Sequence, residues 1–292
     1  MSSSRRADGV GDDGIAQALL ERVLEKLGFA TAPSVDGEGL ASLYAAWCRR
    51  VPFDNVRKMI WLREEIPGPL PGDDASDFFE AWLTHGSGGT CWAGNGALHA
   101  LLVTIGFPAR RGYGTMLAAP DIPPNHGTVV VEFEDKLRLV DASVLFGEPL
   151  AFEEGAAIAH ASRGVDLRRD ERDEGDKRDK LRLSWRAFHA DPFDCRIEST
   201  HADRETFSRF HEATRAWSPF NYSLSARLNV DERVIGASFG RIARLDGAGP
   251  ISFSDPSPLE RKQLLVDELG ISEELADRLP EDLEMPPPPG RG

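Results

Sequence analysis

The spacing of apolar residues changes at Pro108, and this change constrains the fold more than any other feature of the chain. Before Pro108 the apolar residues recur at the three- and four-residue intervals of amphipathic helices, whereas after it they form short β-rich runs separated by turns. We therefore expect packed helices first, then a sheet or barrel, then a mixed C-terminal part. This order favours a segregated α+β fold over alternating βαβ units.

The helical part contains four predicted helices, separated by loops rich in Gly, Pro and Asp. They cover residues 15–27, 39–49, 78–83 and 91–105. Asp12 or Asp13 is placed to cap the first helix, and Gly28 and Gly106 are placed to end the first and the last.

The remainder of the chain predicts strands, then a mixture of strands and helices. Strands are predicted within residues 109–117, 126–133, 136–143, 223–230, 233–239 and 241–245, and helices within 207–217 and 258–269, with a short one capped by Ser272. Between Arg163 and Lys180, 14 of 18 residues are charged, which predicts a solvated insertion or mobile loop. The Pro-rich end, residues 284–292, predicts a disordered tail.

Composition excludes several classes of protein. The chain has 48 acidic against 34 basic residues, a net charge of -14, which opposes a sequence-independent grip on nucleic acid. No apolar stretch reaches the roughly 18 residues that a membrane span requires, and the N-terminus lacks the apolar core of a secretory signal. We therefore expect a globular cytoplasmic protein that binds neither nucleic acid nor membrane.

Cys91 is a candidate nucleophile because it follows a Gly-rich loop and begins a predicted helix. Unpaired N–H groups and the helix dipole favour a thiolate at that position, and the same N–H groups suit an oxyanion. The preceding glycines, among them Gly88 and Gly89, would let the backbone approach a bound acyl group. A buried cysteine beside Trp92 is an equally good interpretation of the local sequence. The other two cysteines, Cys48 and Cys195, show no CxxC spacing that would indicate zinc or a disulfide framework.

A base and an orienting carboxylate for this thiol are found in the predicted β-hairpin. His126 begins one strand and Asp141 follows the next, with a turn near residues 134 and 135, so strand pairing places the two nearly opposite each other. A Cys-His-Asp set is the arrangement that nucleophilic catalysis requires. The alternative, a metal site, lacks a second histidine at ligand spacing near His126.

With these residues in place, the chain resembles the arylamine N-acetyltransferase family. The similarity is carried by PFDN at 52–55, GGTCWAGN at 88–95, NHGTVVVEF at 125–133, LVDAS at 139–143 and WSPFN at 217–221. The resemblance implies that Cys91, His126 and Asp141 form the catalytic triad. It also implies a helical bundle at 1–107 that carries the cysteine, a β-barrel at 108–205 that carries His and Asp together with a charged insertion at 163–180, and an α/β lid at 206–292.

The function implied by the resemblance is transfer of an acetyl or other acyl group from acetyl-CoA, through a thioester on Cys91, to an arylamine, arylhydroxylamine or hydrazine, without a metal. We expect Gly88, Gly89, Thr90 and Gly127 to contact the donor. The lid arginines Arg227, Arg233, Arg241 and Arg244 are further candidates for phosphate binding. Two alternatives stay open: an amide synthase-like relative that releases a carrier-bound chain as an amide or macrolactam, and a catalytically silent scaffold on the same fold.

Two departures from the family pattern lie close to the thiol. Ser87 stands where the family has Arg, and Ala93 stands where it has Glu; in PFDN, Asp54 replaces the longer Glu. If the charged groups pair in the family's interior, losing them together is tolerable, because an unpaired buried charge would cost more.

Overall fold

The computed structural model describes residues 13–118, 122–133, 135–170, 180–188 and 194–287. Within these ranges the chain forms eight α-helices. They are α1 (Gln17–Leu27), α2 (Gly37–Arg50), α3 (Val56–Arg63), α4 (Ala75–His85), α5 (Cys91–Ile105), α6 (Arg204–Trp217), α7 (Pro258–Gln263) and α8 (Glu273–Arg278). A 3-10 turn spans Pro219–Asn221 and a π-helical turn spans Leu264–Glu268.

The predicted helices are confirmed, with two corrections near the N-terminus. Gly28 ends α1 and Gly106 ends α5, both in the left-handed conformation that glycine adopts without strain. The cap of α1 is not an aspartate: Ala16 holds that position, Asp13 is engaged by Arg111 at 2.8 Å, and Asp12 lies outside the described residues. Helix α3 was not predicted.

Helix α3 escaped prediction because it is only eight residues long and buries Lys58 beside its apolar residues, so it shows no clear amphipathic stripe. Val56 and Ile60 pack into a separate core cluster together with lid residues. The C-terminal helix predicted over 258–269 begins with the expected Ser257 and Pro258 but continues into the π-helical turn before Gly270.

The strands of the described residues form two sheets. Their bounds are β1 (Phe53–Asp54), β2 (Ala109–Met116), β3 (His126–Phe133), β4 (Lys136–Val140), β5 (Leu150–Ala151), β6 (Ala157–Ile158), β7 (Val165–Arg169), β8 (Leu181–Trp185), β9 (Cys195–Ala202), β10 (Ala226–Val230), β11 (Arg233–Ser238), β12 (Arg241–Asp246) and β13 (Ser252–Ser254).

The larger sheet is a nearly closed barrel. Its order is β5-β4-β3-β2-β9-β8-β7-β6, every pairing described is antiparallel, and the two edge strands β5 and β6 lie in contact. Strands β3 and β4 pair from Val129 with Val140 to Phe133 with Lys136, as the predicted hairpin requires. The predicted turn residue Glu134 lies outside the described residues.

The charged segment at 163–180 is not entirely an insertion or loop. Residues 165–169 form β7, with Val165 and Leu167 buried in the main core and paired to β8. The alternation of these two apolar residues with charged neighbours is the period-two pattern of a half-buried strand, and the high charge count obscured it. Residues 171–179 lie outside the described residues.

The smaller sheet forms the lid, with the order β1-β10-β11-β12-β13. The three predicted lid strands are confirmed as β10, β11 and β12. Strand β1 is contributed by the N-terminal part of the chain, where Phe53 pairs with Arg227. This pairing joins the PFDN segment directly to the lid.

A single large core joins the helical bundle to the barrel, while the lid has smaller clusters of its own. The large core contains the buried faces of α1, α2, α4 and α5 and the inward residues of the barrel strands. The predicted boundaries at 107 and 205 stay a prediction. Among the described residues, no helix is both long enough and apolar enough to cross a membrane.

Candidate active site

Cys91 is the first residue of α5, as the sequence predicted, and its side chain opens onto a cleft between the barrel and the lid. Thr90 is the cap residue, but its side chain makes no capping hydrogen bond, so the N–H groups of the first turn stay available to a ligand. The thiol is only 6% exposed and lies 3.7 Å from the carbonyl oxygen of Asn125. Cys91 thus lies at a helix N-terminus and also lines the cleft.

The loop before Cys91 is held by a buried carboxylate. Asp54 accepts hydrogen bonds from the Ser87 hydroxyl at 2.9 Å, the Gly88 N–H at 2.7 Å and the Val56 N–H at 3.0 Å. Burial raises the pKa of Asp54 to about 6, and these hydrogen bonds oppose the increase. Ser87 therefore provides a neutral partner for this carboxylate.

The glycines of this loop are required by close packing. A Cβ at Gly88 would lie 1.8 Å from the carbonyl oxygen of Pro52, and one at Gly89 would lie 2.8 Å from the Cβ of Ala93. A Cβ at Gly72 would lie 2.6 Å from the same Ala93 Cβ. Position 93 therefore has room for a methyl group and no more, unless the loop moves.

His126 and Asp141 are coupled as the predicted hairpin requires. His126 Nε2 lies 2.7 Å from Asp141 Oδ2, and both side chains are fully buried. The other ring nitrogen, Nδ1, has no hydrogen-bond partner among the described residues. The Cys91 thiol lies close enough to influence the ring, so His126 stands between the thiol and the carboxylate.

The charges of this pair stabilise each other. Burial lowers the pKa of His126, but attraction to Asp141, their hydrogen bond and the neighbouring Cys91 outweigh burial and raise the pKa above its usual value. Burial raises the pKa of Asp141, but His126 and the N–H groups of Ser143 and Val144 outweigh it and lower the pKa. The geometry favours an imidazolium held by a carboxylate, the state in which a neighbouring thiolate is stabilised.

Asn95 links Cys91 and Asp141 to the residue that follows His126, a role that was not predicted from the sequence. Its amide nitrogen donates to the carbonyl oxygens of Cys91 at 3.0 Å and Gly127 at 2.6 Å, and lies 3.4 Å from Asp141 Oδ1. Its amide oxygen accepts from the Ala142 N–H at 2.9 Å. The signal was its position four residues after Cys91, on the same face of α5.

Tyr44 and Ser143 complete the support of Asp141. The Tyr44 hydroxyl donates to the Asp141 carbonyl at 2.9 Å and accepts from its N–H at 3.1 Å. The Ser143 hydroxyl donates to Asp141 Oδ1 at 2.8 Å. Tyr44 was predicted only as an apolar residue of its helix, because nothing in the sequence relates position 44 to position 141.

The cleft beside Cys91 encloses about 160 Å³ and is largely apolar. Barrel and lid both contribute to its wall, which includes several aromatic side chains, among them Phe53, Phe188, Trp217 and Phe220. The polar groups at the wall include Cys91, His126 and Arg227. Such a cleft suits an aromatic or other apolar reactant delivered to the thiol.

The four predicted donor contacts do not line this cleft. Gly88 and Thr90 are buried, and Gly89 packs against Phe78 and Ala93. A Cβ at Gly127 would lie 2.7 Å from Phe207 and 2.8 Å from Trp92, so its glycine is explained by ring packing. Their predicted contacts with the donor remain predictions.

A buried lysine near the thiol was also not identified from the sequence. Lys58 Nζ donates to the Thr214 hydroxyl at 2.8 Å, and Thr214 lines the cleft. Burial lowers the pKa of Lys58 to about 7, while the neighbouring Cys91 acts in the opposite direction. Among the described residues, no group of three or more His, Cys, Asp or Glu side chains is arranged to hold a metal ion.

Comparison with known proteins agrees with this arrangement. The sequence profile of a protein family described as N-acetyltransferase matches residues 36–226, which include all three triad positions. The chain belongs to the arylamine N-acetyltransferase family. A search of curated proteins finds no significant match.

Solved arylamine N-acetyltransferases share the fold at low sequence identity. The structure of the Mycobacterium smegmatis enzyme is 19% identical, covers 91% of this chain and 99% of its own, and superposes with a TM-score of 0.75. That of Mycobacterium marinum, in complex with CoA, is 20% identical, covers 89% and 98%, and has a TM-score of 0.71. That of Bacillus cereus, described with a Cys-His-Glu catalytic triad, is 18% identical, covers 87% and 98%, and has a TM-score of 0.68.

Within the arylamine N-acetyltransferase fold, the two departures near the thiol now have a structural basis. The carboxylate of Asp54 keeps a full set of hydrogen bonds with Ser87 in place of an arginine. Ala93 fills a site between Gly72, Gly89 and Phe78 that a glutamate would overfill.

Proposed function

We propose that the protein is an N-acyltransferase that carries an acyl group as a thioester on Cys91 and delivers it to an aromatic amine, arylhydroxylamine or hydrazine, with acetyl-CoA as the donor. The observation that carries the proposal is the chain of contacts from Asp141 through His126 to a thiol that opens onto an apolar cleft. Membership of the family and the CoA complex of the M. marinum relative support the acetyl donor.

The proposed reaction has two half-reactions in the same cleft. In the first, Cys91 gives its proton to His126 Nδ1, the thiolate attacks the donor thioester carbonyl, and the bond to the donor sulfur breaks as that sulfur takes the proton back. In the second, the amine attacks the Cys91 thioester, His126 accepts the amine proton, and the thiol is released. The unpaired N–H groups at the start of α5 are placed to stabilise the oxyanion in each step.

Asp141 serves this cycle by fixing the imidazole. Because its Oδ2 accepts the proton on Nε2, the nitrogen left to exchange a proton with Cys91 is Nδ1. The carboxylate itself is held by Ser143 and Val144, so it need not reorganise during the reaction.

One observation favours the amide synthase-like alternative. Two of the lid arginines that were candidates for CoA phosphates are already paired: Arg241 with Asp255 at 2.9 Å and Arg244 with Glu268 at 2.6 Å. A donor carried on pantetheine, without the nucleotide, would require neither of them.

Intact-mass spectrometry tests the proposal. Acetyl-CoA and acetyl-pantetheine are added separately to the protein and to Cys91→Ser, and an acceptor such as 4-aminobenzoate follows. We expect an increase of one acetyl group on the unmodified protein alone, which the acceptor then removes. Equal acylation rates with and without the nucleotide would favour the carrier-type donor. No mass increase with any acyl thioester would contradict the proposal.

A further inference from the structure

Arg227 is a buried cation at the cleft wall, and it has no carboxylate partner among the described residues. It lies in β10, is 6% exposed, and shares the cleft wall with Cys91. Its Nη1 donates to the carbonyl oxygen of Arg186 at 2.9 Å, and its guanidinium carbon lies 5.3 Å from the centre of the Phe188 ring. Its Nε is buried without a hydrogen-bond partner among the described residues.

The surroundings of Arg227 are positive. The groups that influence it most are Cys48 and Tyr44, two weak acids whose own pKa values are raised by burial, and the cations Arg163 and Arg186. Within the described residues none of the three arginines forms a salt bridge with a carboxylate. The chain carries 48 acidic residues, and elsewhere in the lid the arginines Arg241, Arg244 and Arg261 each have one as a partner.

An unpaired charge in such a place is costly to keep. Burial lowers the pKa of Arg227 to about 10, so the guanidinium still carries its charge at neutral pH. A buried cation without an anion destabilises a fold unless a ligand supplies the anion. The planar guanidinium presents parallel donors whose geometry matches a carboxylate.

We infer that Arg227 binds a carboxylate carried by one of the two reactants, so that this enzyme prefers an aromatic acceptor or an acyl group bearing that charge. The inference rests on the proposed function, since it takes the cleft at Cys91 as the place of acyl transfer. The apolar wall accommodates the body of the reactant, while Arg227 holds its charged end. The nucleotide phosphates of CoA are a poorer fit, because the pantetheine arm separates them from the acyl carbon at Cys91, whereas Arg227 lines the same cleft wall as Cys91.

The test compares the wild type with two variants. Arg227→Met removes the charge and keeps a side chain of similar length, and Arg227→Lys keeps the charge but loses the parallel donors of the guanidinium. Arg49→Met, at an exposed arginine near the end of α2 and outside the cleft wall, is the matched control. Thermal melts establish that all four proteins are folded. We expect no loss of stability in Arg227→Met, because the variant removes an unpaired buried charge.

The acceptor arm measures binding by calorimetry, which needs no turnover. The probes are 4-aminobenzoate and its neutral isostere 4-aminobenzamide. The acyl arm measures the rate of Cys91 modification by N-acetylcysteamine thioesters of succinate and butyrate. In at least one arm, the wild type and Arg49→Met should prefer the carboxylate by about 10-fold or more. The preference should fall to within about two-fold in Arg227→Met and be intermediate in Arg227→Lys.

The two arms also separate the possible failures. The inference would be overturned if the wild type showed no carboxylate preference, or if Arg227→Met kept the same preference. It would also be overturned if the only effect of Arg227→Met were a loss of affinity for free CoA. Carboxylate binding that depends on Arg227 in a protein that no thioester acylates would uphold the inference and refute the proposed acyl transfer.

Discussion

The three cysteines differ in their surroundings far more than in their sequence context. Cys48 and Cys195 are 1% and 0% exposed, and burial raises the pKa of Cys48 to about 12 and that of Cys195 well above its usual value. Cys91 lines the cleft, lies at a helix N-terminus and has His126 as a neighbour. Nucleophilic character is therefore expected at Cys91 alone.

Brief treatment with iodoacetamide at neutral pH should label Cys91 well before the other two cysteines. Peptide mapping at increasing times measures the order, and Cys91→Ser serves as the control in which labelling of the folded protein should nearly disappear. Labelling of Cys48 or Cys195 ahead of Cys91 would show that the nucleophile has been assigned wrongly.

Replacing either partner of the thiol should abolish activity without unfolding the protein. In Asp141→Asn the amide nitrogen must face either His126 Nε2 or the N–H groups of Ser143 and Val144. The second orientation brings donors together, so the amide nitrogen would donate to Nε2 and the ring proton would lie on Nδ1. That tautomer cannot accept a proton from Cys91. We expect a loss of about 10³- to 10⁴-fold in the rate of Cys91 acylation, and a comparable loss in His126→Ala.

Stopped-flow acylation measures these rates, and thermal melts measure the stability of the same samples. Variants that are folded and acylate at nearly the wild-type rate would exclude the triad.

At the scale of secondary-structure elements, Asn95 joins the start of α5 to the start of β3 and to the turn after β4. Asn95→Ala would leave the Ala142 N–H and the Gly127 carbonyl oxygen unpaired in the interior. Each unsatisfied buried group costs about 1–3 kcal/mol, so urea denaturation should show a free energy of unfolding lower by roughly 2–4 kcal/mol.

Asn95→Asp is the sharper companion variant, because it adds a carboxylate beside Asp141. It should be less stable than Asn95→Ala and acylate more slowly. If both variants keep wild-type stability, Asn95 does not join the two elements.

The stability of the folded protein should depend on pH through Asp54, the carboxylate that holds the loop before Cys91. Its folded-state pKa is raised from 3.8 to about 6, so the folded protein holds this proton more tightly than the unfolded chain. The contribution of Asp54 to stability is therefore fully present below about pH 4 and is lost as pH rises to about 6. By linkage the difference is up to about 3 kcal/mol.

Urea denaturation at pH 4.5 and 7.5 should show a smaller loss of stability between these pH values in Asp54→Asn than in the wild type. Asp255→Asn, an exposed carboxylate, is the control and should follow the wild type. A wild-type pH dependence in Asp54→Asn would contradict the assignment to Asp54.

Local sequence pattern predicted most elements because their information is local. The stripe of α1, the glycine after α5 and the hairpin of β3 and β4 are each encoded within a dozen residues. Helix α3 was missed, and strand β7 was taken as part of a charged insertion or loop. The buried face of α3 packs against the distant lid, and β7 carries its two buried residues among many charges.

At the scale of the whole molecule, the bundle and barrel share one core, whereas the lid core includes two residues of α3. The lid sheet likewise contains β1. Residues 206–292 thus share a core cluster and a sheet with residues 53–60, and we expect from this that the predicted boundary at 205 is not a folding boundary.

A chain that ends at residue 205 should therefore lack a cooperative thermal transition, because Val56 and Ile60 would lose their cover. The complementary piece, residues 206–292, should also fail to fold alone without β1. Circular dichroism melts of both pieces, separately and mixed, measure this. A sharp transition for either isolated piece would show that the predicted boundary is a folding boundary.

The proximity of Cys91, His126 and Asp141 could be predicted from the sequence, but the cleft could not. Cys91, His126 and Asp141 were identified because their motifs and strand positions limit where they can lie. Phe53, Phe188 and Phe220 come from three distant segments, and no local pattern shows that they line one wall. For the same reason, the tertiary contacts are needed to see that no carboxylate within the described ranges pairs with Arg227.

Two consecutive residues of the PFDN segment bind different parts of the molecule, the loop before Cys91 and the lid. Asp54 holds the loop at Gly88, while the Asn55 side chain donates to the Ser223 carbonyl oxygen at 2.8 Å and accepts from the Ser225 N–H at 2.8 Å. One planar peptide group joins them. A displacement of the lid segment must therefore rotate that peptide group or break its side-chain contacts. Mechanical motion of the lid is in this way coupled to the position of the backbone that presents the thiol.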